Sequence, residues 1–458
     1  MSYKPTLILH GGAGAIDRSH LPPSLYSQYH ASLLRYLRST KSLLSSGSSA
    51  LDAAVHAVSC MEDDELFNCG RGSVFTLAGT IEMEASIMVT SVVPPATPAS
   101  SRPPAPGFSS IKRGVGVMGL RNVRHPIQLA RECLVRTGDD GDGGSMHAQL
   151  CAPVVEHKAR EWGLEMMPDG WFWTRRRWEE HLRGLEGGSS LRDEEAVVGD
   201  GDLLLRDLLP SQGTVGCVCL DAWGGLAVAT STGGLTNKWP GRIGDTPTLG
   251  AGFWAEAWEE EEVDDGDVYG NGRMMGYRSM SPTTATTTPE SRKSLWDLTV
   301  GDCVGSLLGR EESPYAMIHH HPQSPRKRAV AVSGTGNGDS FLRVAAARTA
   351  CAMRRFSPRV SSLAEAVTAI AGRDGELQRS AGSRWGVTGE GQGGMIGIEA
   401  ELDTSSTPGD SCEKKQLRRG KVVYDFNCGG MWRAWIEEDG DGEEIERVMV
   451  FREEYFPR

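Results

Sequence analysis

Two apolar runs at the centre of the chain, Thr214-Val-Gly-Cys-Val-Cys-Leu220 and Leu226-Ala-Val-Ala-Thr-Ser-Thr232, are joined by Asp221-Ala-Trp-Gly-Gly225. Short apolar runs rich in valine and threonine, bounded by an Asp/Gly turn, predict a β-hairpin. Such a hairpin carries Thr214 and Thr232, eighteen positions apart, to the same end of adjacent strands. A threonine hydroxyl is a poor nucleophile unless a base sits beside it, and a free α-amino group on the same residue can be that base. Such an amine titrates at roughly 7.7–8.0, near working pH. The Gly213-Thr214 junction therefore raises the question of whether the chain is cut there.

Ordered patterns recur on both sides of that hairpin. Thr6–Leu9 predicts a strand running into His10-Gly-Gly-Ala-Gly14, and helical spacing of apolar residues follows at Leu33–Leu44 and Leu51–Val58. Glu82–Met88 and Gly114–Met118 predict strands, and Pro126–Val135 a helix. Residues 90–112 hold six prolines amid serine and alanine and predict a loose loop. Residues 137–213 read as a flexible linker, with one helical stretch at 171–183. Residues 256–327 read as a disordered insert with a local helix at Trp296–Leu308. Order returns with a strand at Ala329–Ser333, helices at Phe341–Met353 and Ser362–Ala371, and a closing hairpin of Gly394–Leu402 and Val422–Phe426 around a polar loop at 403–420. Strands and helices alternating in blocks predict one α+β, layered domain over residues 1–458, with loose insertions.

Composition narrows the function. A net charge of −12 argues against a nucleic-acid partner, which needs a concentrated basic face. No run approaches the roughly 18 apolar residues of a membrane span, and the first ten residues lack the apolar core of a secretory signal. Ten cysteines without CxxC spacing read as reduced thiols of a cytoplasmic protein.

Besides Thr214 and Thr232, four clusters could carry chemistry. Arg242 and Asp245 lie three apart in a glycine-rich loop and could clamp the carboxylate and amine of an amino acid, or form a surface ion pair. Ser333-Gly-Thr-Gly-Asn-Gly338 exposes backbone N–H groups before a helix but lacks the GK[ST] of a phosphate loop. Asn68, between Phe67 and Cys69-Gly70, could donate to an oxyanion or cap a turn. His319–His321 could bind metal weakly, though adjacent side chains do not converge on one ion.

Taken in order, eight segments resemble the plant-type L-asparaginase/isoaspartyl peptidase family of N-terminal nucleophile hydrolases. They are Leu-His-Gly-Gly-Ala-Gly-Ala-Ile16, Leu-Phe-Asn-Cys-Gly-Arg-Gly-Ser73, Glu-Met-Glu-Ala-Ser-Ile-Met88, Gly-Thr-Val-Gly216, Ser-Thr-Gly-Gly-Leu-Thr-Asn-Lys238, Gly-Arg-Ile-Gly-Asp245, Gly-Thr-Gly-Asn-Gly-Asp339 and Gly-Gly-Met-Trp-Arg-Ala-Trp435. The resemblance implies a four-layer αββα sandwich that cleaves itself between Gly213 and Thr214, giving an α subunit of residues 1–213 and a β subunit of 214–458. It implies Thr214 as nucleophile and its new amine as base, with Thr232 tuning its hydroxyl. It implies Asn68 and Thr335 as the oxyanion hole, and Arg242, Asp245, Gly336 and Gly338 as the substrate clamp. The Met61–Arg71 loop resembles one whose carbonyls hold a structural sodium ion. Met61, Glu62, Asp64, Phe67, Cys69 and Arg71 are the positions implied, and the ion would steady Asn68. No organic or redox cofactor is implied. The substrates implied are L-asparagine and β-aspartyl dipeptides, and the assembly is an (αβ)2 heterotetramer.

Departures from the family pattern are Gln212, the Pro-rich loop, the insert at 256–327 and the expanded loop at 403–420. The rival readings are a glycosylasparaginase-like enzyme, a threonine-aspartase-like enzyme, and an uncleaved silent scaffold that binds partners through its insertions. Retention of Thr214, Thr232 and Asp245 speaks against the scaffold.

Overall fold

The computed structural model describes residues 3–19, 21–91, 112–136, 147–190, 213–260, 326–402 and 418–455. The expected helix at Trp296–Leu308, the three histidines and most of the Pro-rich loop, the long insert and the closing loop lie outside these residues.

Tyr3–Lys4 (β1) and Thr6–Gly14 (β2) are followed by helices Pro23–Ser45 (α1) and Ala50–Glu62 (α2). Met83–Val89 (β3) and Arg113–Leu120 (β4) lead to Pro126–Arg136 (α3), Gln149–Cys151 (β5), Val154–Glu161 (α4), Asp169–Phe172 (α5) and Arg175–Ser190 (α6). The central hairpin is Val215–Leu220 (β6) and Leu226–Thr232 (β7). Then come Phe253–Glu260 (β8), Arg326–Gly336 (β9), Gly338–Val344 (α7), Ala346–Phe356 (α8), Leu363–Ala371 (α9) and Glu376–Ser380 (α10). Gly393–Leu402 (β10), Arg418–Arg419 (β11), Lys421–Phe426 (β12), Gly430–Glu438 (β13) and Glu444–Met449 (β14) complete the order.

Eight strands form one sheet in the order β14-β13-β2-β6-β7-β3-β4-β5, and four form a second in the order β12-β10-β9-β8. All pairs in both are antiparallel except β4–β5. The fold is α+β. Side chains alternate across each strand, and the apolar ones on the two faces join different clusters. Leu7, Leu9, Cys217, Cys219, Ala227 and Ala229 pack with residues of α1, α2 and α3. The residues between them, Ile8, Val218, Leu220, Leu226 and Val228, pack with Phe253, Ala329, Ala331, Ile396 and Ile398 of the smaller sheet. The opposite face of that sheet, with Val330, Val332 and Met395, packs with Ala347, Ala350, Val367 and Ile370 of α8 and α9. Helix α2 starts at Ser49, whose hydroxyl accepts from the Asp52 N–H at 3.1 Å and caps an otherwise orphaned donor.

Three boundaries differ from the sequence reading. Residues 147–190, within the expected linker 137–213, are folded. The expected helical stretch at 171–183 falls in α5 and α6. The order of the segment comes from scattered apolar residues such as Val155, Ala159 and Phe172, which join the core, and from polar contacts. The buried Glu156 carboxylate accepts from the N–H groups of Arg121, Asn122 and Val123 at 2.8, 2.7 and 3.2 Å. The buried Arg177 donates to the carbonyls of Gly72 at 2.7 Å and Leu66 at 3.3 Å. The expected single helix Phe341–Met353 is two helices, broken at Ala345 in the left-handed region (φ 47°). The break frees the N–H groups of Ala347 and Arg348 to donate to the carbonyls of Ala251 and Gly250 at 3.0 and 2.8 Å. Finally, β8 and β9 take the edges of the expected insert (256–260 and 326–327) into strands, and β11 takes 418–419 out of the expected loop.

Trp432 on β13 is fully buried and stacks on Tyr29 of α1, centroids 4.9 Å apart. Trp432→Ala should cost about 3–5 kcal/mol and lower the melting temperature markedly. Thermal unfolding followed by tryptophan fluorescence checks it, and an unchanged midpoint would show that this contact does not anchor α1.

Candidate active site

Strand β6 begins one residue after Thr214, and the pairing of Val215 with Ser231 sets Thr214 beside Thr232 at one end of the hairpin. Thr214 is buried, and its Oγ1 lies 3.1 Å from Oγ1 of Thr246. The Thr232 Oγ1 instead accepts from the Gly234 N–H at 3.0 Å, which fixes the turn after β7. Thr246 was not singled out from the sequence. The only signal was its place directly after Asp245.

The preceding Gly213 sits where only a glycine fits. A Cβ there would fall 2.6 Å from Thr335 Oγ1 and 3.2 Å from the Gly336 nitrogen. Two polar groups of β9 therefore lie against the residue that would donate the scissile carbonyl. Thr335 is itself fully buried, and its Oγ1 accepts from the Ala13 N–H at 3.2 Å. Close by, His10 Nε2 lies 2.7 Å from Ser333 Oγ. Burial pushes the His10 imidazole down to about 3, against an opposing pull from the Thr214 backbone, so it is neutral near pH 7.

On the other side of Thr214 the loop after β7 brings up a set of charges. Arg242 donates from Nη2 to Asp339 at 3.1 Å, while its buried Nε has no partner. Asp245 is buried with Oδ2 unpartnered. Burial raises its carboxyl to about 7, with Arg242 pulling down and Glu84 pushing up. Gly338, at the start of α7, allows close approach: a Cβ there would be 2.5 Å from Asp245 Oδ1 and 3.0 Å from Arg242 Nη2. Two further charges went unassigned from the sequence. Glu84 is buried, accepts from the Gly244 N–H at 3.0 Å, leaves Oε2 unpartnered, and is raised by burial. Lys238 donates to the Glu82 carbonyl at 2.7 Å and is lowered by burial.

Thr214, Thr232, Arg242, Asp245, Gly336 and Gly338 thus line one cavity of about 420 Å3, which Gly213 and Glu84 also border. Asn68 and Thr335 stand behind its wall. Asn68 donates to the Gly234 carbonyl at 2.8 Å and accepts from the Val74 N–H at 3.1 Å, so its side chain holds the loop beside Thr232. One end of the cavity offers a guanidinium and a buried acid, the other a threonine hydroxyl beside Gly213, with Thr335 Oγ1 and the Gly336 nitrogen packed against that glycine.

The acidic side chains of the Met61–Arg71 loop are engaged within the protein. The Glu62 carboxylate turns to Ser231 and the Ile127 N–H, and Asp64 accepts from Ser32, Tyr36 and the Leu66 N–H. Arg71 is exposed and Cys69 buried. Among the described residues no three metal-ligating side chains cluster. The glycines let the loop fold closely on itself: a Cβ on Gly70 or Gly72 would fall 2.2 Å from Glu62 O or 2.1 Å from Phe67 O. The carbonyls of Met61, Asp64 and Cys69 accept from the N–H groups of Asp64, Phe67 and Gly72.

The sequence profile of a family described as asparaginase matches residues 3–92 and 110–258. The chain is 34% identical over 252 residues to the isoaspartyl peptidase of Salmonella typhimurium, covering 55% of this chain and 70% of the relative. It is 33% identical over 252 residues to the isoaspartyl peptidase of Escherichia coli, covering 55% and 68%. It is also 33% identical over 256 residues to the isoaspartyl peptidase/L-asparaginase of Xenopus laevis, covering 55% and 67%.

Asp245 makes the cavity sensitive to pH. An unfolded aspartate ionises near 3.8, the folded one near about 7. Between those values the folded protein keeps a proton that the unfolded chain has lost. This group's stabilisation is therefore complete below the lower value and is lost as pH climbs to the upper one. Asp245→Asn cannot ionise, so its melting temperature should fall less than wild type's across that window and exceed it above pH of about 8. Parallel slopes for the two proteins would refute the assignment.

Proposed function

The chain belongs to the asparaginase family, and from that membership we propose that it is a threonine-nucleophile hydrolase that cuts itself between Gly213 and Thr214. The observation that carries the reading is Thr214 itself, buried at the head of β6 in the cavity that also holds Arg242 and Asp245. The proposed substrates are L-asparagine and β-aspartyl dipeptides.

In self-cleavage, Thr214 Oγ1 attacks the Gly213 carbonyl and the amide becomes an ester. The C–N bond breaks in that step, with the hydroxyl proton passing to nitrogen, so Thr214 gains a free amine. Water then cleaves the ester, releasing residues 1–213 as a carboxylate and restoring the Thr214 hydroxyl. That amine is the general base for substrate turnover. Arg242 takes the α-carboxylate of the aspartyl group through paired N–H donors, and ionised Asp245 takes its α-ammonium. The hydroxyl, its proton passing to the amine, attacks the side-chain carbonyl. Thr335 Oγ1 and the Gly336 N–H, which flank Gly213, would stabilise the oxyanion. Asn68 supports that pocket through the Gly234 carbonyl. The protonated amine then gives its proton to the departing ammonia or amino acid. Water, activated by the same amine, releases L-aspartate from the ester.

Thr246 is proposed as the residue that orients the attacking hydroxyl, with Thr232 steadying the turn beside it. The three apolar clusters favour a four-layer αββα sandwich of the N-terminal nucleophile type. Sodium held by carbonyls of the Met61–Arg71 loop would stiffen the segment carrying Asn68. An (αβ)2 assembly belongs to the same proposal. No helix among the described residues is long and apolar enough to cross a membrane, and every described cysteine is free. A cytoplasmic location accords with both.

Purified protein should run as two fragments on a denaturing gel, the second starting at Thr214 by intact mass. Thr214→Ala should stay one band and hydrolyse neither substrate. An uncut wild type that hydrolyses both would overturn the mechanism. Thr246→Val should lower kcat about tenfold, the worth of one oriented hydrogen bond, with little change in KM.

A further inference from the structure

The clamp and the nucleophile account for the inner part of the cavity, but its outer wall carries a charge with no task in that chemistry. Arg183 on α6 lines the same space as Thr214, Arg242 and Asp245 and is exposed. Among the described residues no carboxylate pairs with it. Glu180, one turn earlier and also on the wall, is already committed. It accepts from Arg176 Nε at 3.1 Å and Arg177 Nη1 at 2.8 Å. Against the upward push of burial, these two guanidiniums hold its carboxyl below the usual range.

The helix that presents Arg183 is anchored. Arg177 ties it to the carbonyls of Gly72 and Leu66. His181 Nδ1 lies 2.5 Å from Asn237 Oδ1, and Asn237 Nδ2 donates to the His181 carbonyl at 3.1 Å. Gly184 meets the same amide so closely that a Cβ would fall 2.4 Å from it. The backbone of Arg183 is therefore held at a fixed place beside the loop that carries Arg242 and Asp245, with its side chain free to reach into the cavity mouth.

We propose that Arg183 binds the free carboxylate of the amino acid that leaves when a β-aspartyl dipeptide is hydrolysed, and so biases the site toward dipeptides over L-asparagine. The inference rests on the hydrolase reading above. L-Asparagine releases only ammonia and leaves an outer cation unused. A dipeptide carries a second carboxylate on the outward side of the scissile bond. The cavity of about 420 Å3 lies within the roughly 300–1,000 Å3 of pockets that take ligands larger than one amino acid.

The test compares β-aspartyl-leucine with its C-terminal amide, which differs only in the carboxylate, alongside L-asparagine. Wild type should bind the free acid about three- to tenfold better than the amide by KM, as one partly exposed charge-assisted contact allows. In Arg183→Gln the two KM values should converge. A difference that persists in the variant, or is missing from wild type, overturns the proposal. So does wild type that hydrolyses L-asparagine but neither dipeptide. Failure on all three substrates is a different result, because it removes the hydrolase reading itself.

Discussion

Polar contacts between β2 and β9 help to set how the two sheets meet. His10 and Ser333 share a hydrogen bond at the end of a largely apolar interface. Interdigitated apolar side chains resist displacement through close packing, and a buried donor left without its acceptor adds a cost of about 1–3 kcal/mol. The His10–Ser333 contact and the one from the Ala13 N–H to Thr335, three residues on in β2 and two on in β9, therefore help to fix the alignment of the sheets. That alignment sets Thr335 and Gly336 against Gly213 and opens the cavity between the head of β6 and the turn into α7.

The cavity departs from the usual rule that buried charges are paired. Asp245, Glu84 and Arg242 each keep a buried atom without a partner. Two of them are the groups that the proposed substrate would meet, its ammonium at Asp245 and its carboxylate at Arg242. The donors and acceptors are already in place, so little ordering remains to oppose binding. The lifted Asp245 carboxyl reflects its burial in the same arrangement, with Glu84 pushing it further up and Arg242 pulling it down.

The central hairpin, the closing hairpin and α2 were legible because their apolar residues repeat at two or at three to four positions. Thr214, Thr232, Arg242 and Asp245 were legible as well, and the fold brings all four to one cavity. In the segment 147–190 only the helical stretch at 171–183 was legible. The rest is ordered by scattered apolar residues such as Val155 and Ala159 and by Glu156, which reaches backbone groups far away in sequence, and such contacts leave no periodicity. Thr246 needed the fold too. Nothing about a threonine after an aspartate says that its hydroxyl will meet one thirty-two residues earlier. Asn68 stood out in its loop, but its reach to Gly234 places it behind the cavity wall rather than in it.

The strand order has a consequence for a chain severed before Thr214. Along the large sheet, β14 and β13 come from the later piece, β2 from the earlier, β6 and β7 from the later, and β3, β4 and β5 from the earlier. Each piece is interrupted by the other, so neither has a complete sheet to fold into alone. The cut would turn a folding problem inside one molecule into an encounter between two. An intact precursor could refold after melting at any dilution, whereas a matured one, once melted, would recover only as fast as its halves could find each other. Maturation would thus act as a ratchet, trading reversibility for a chain end inside the sheet.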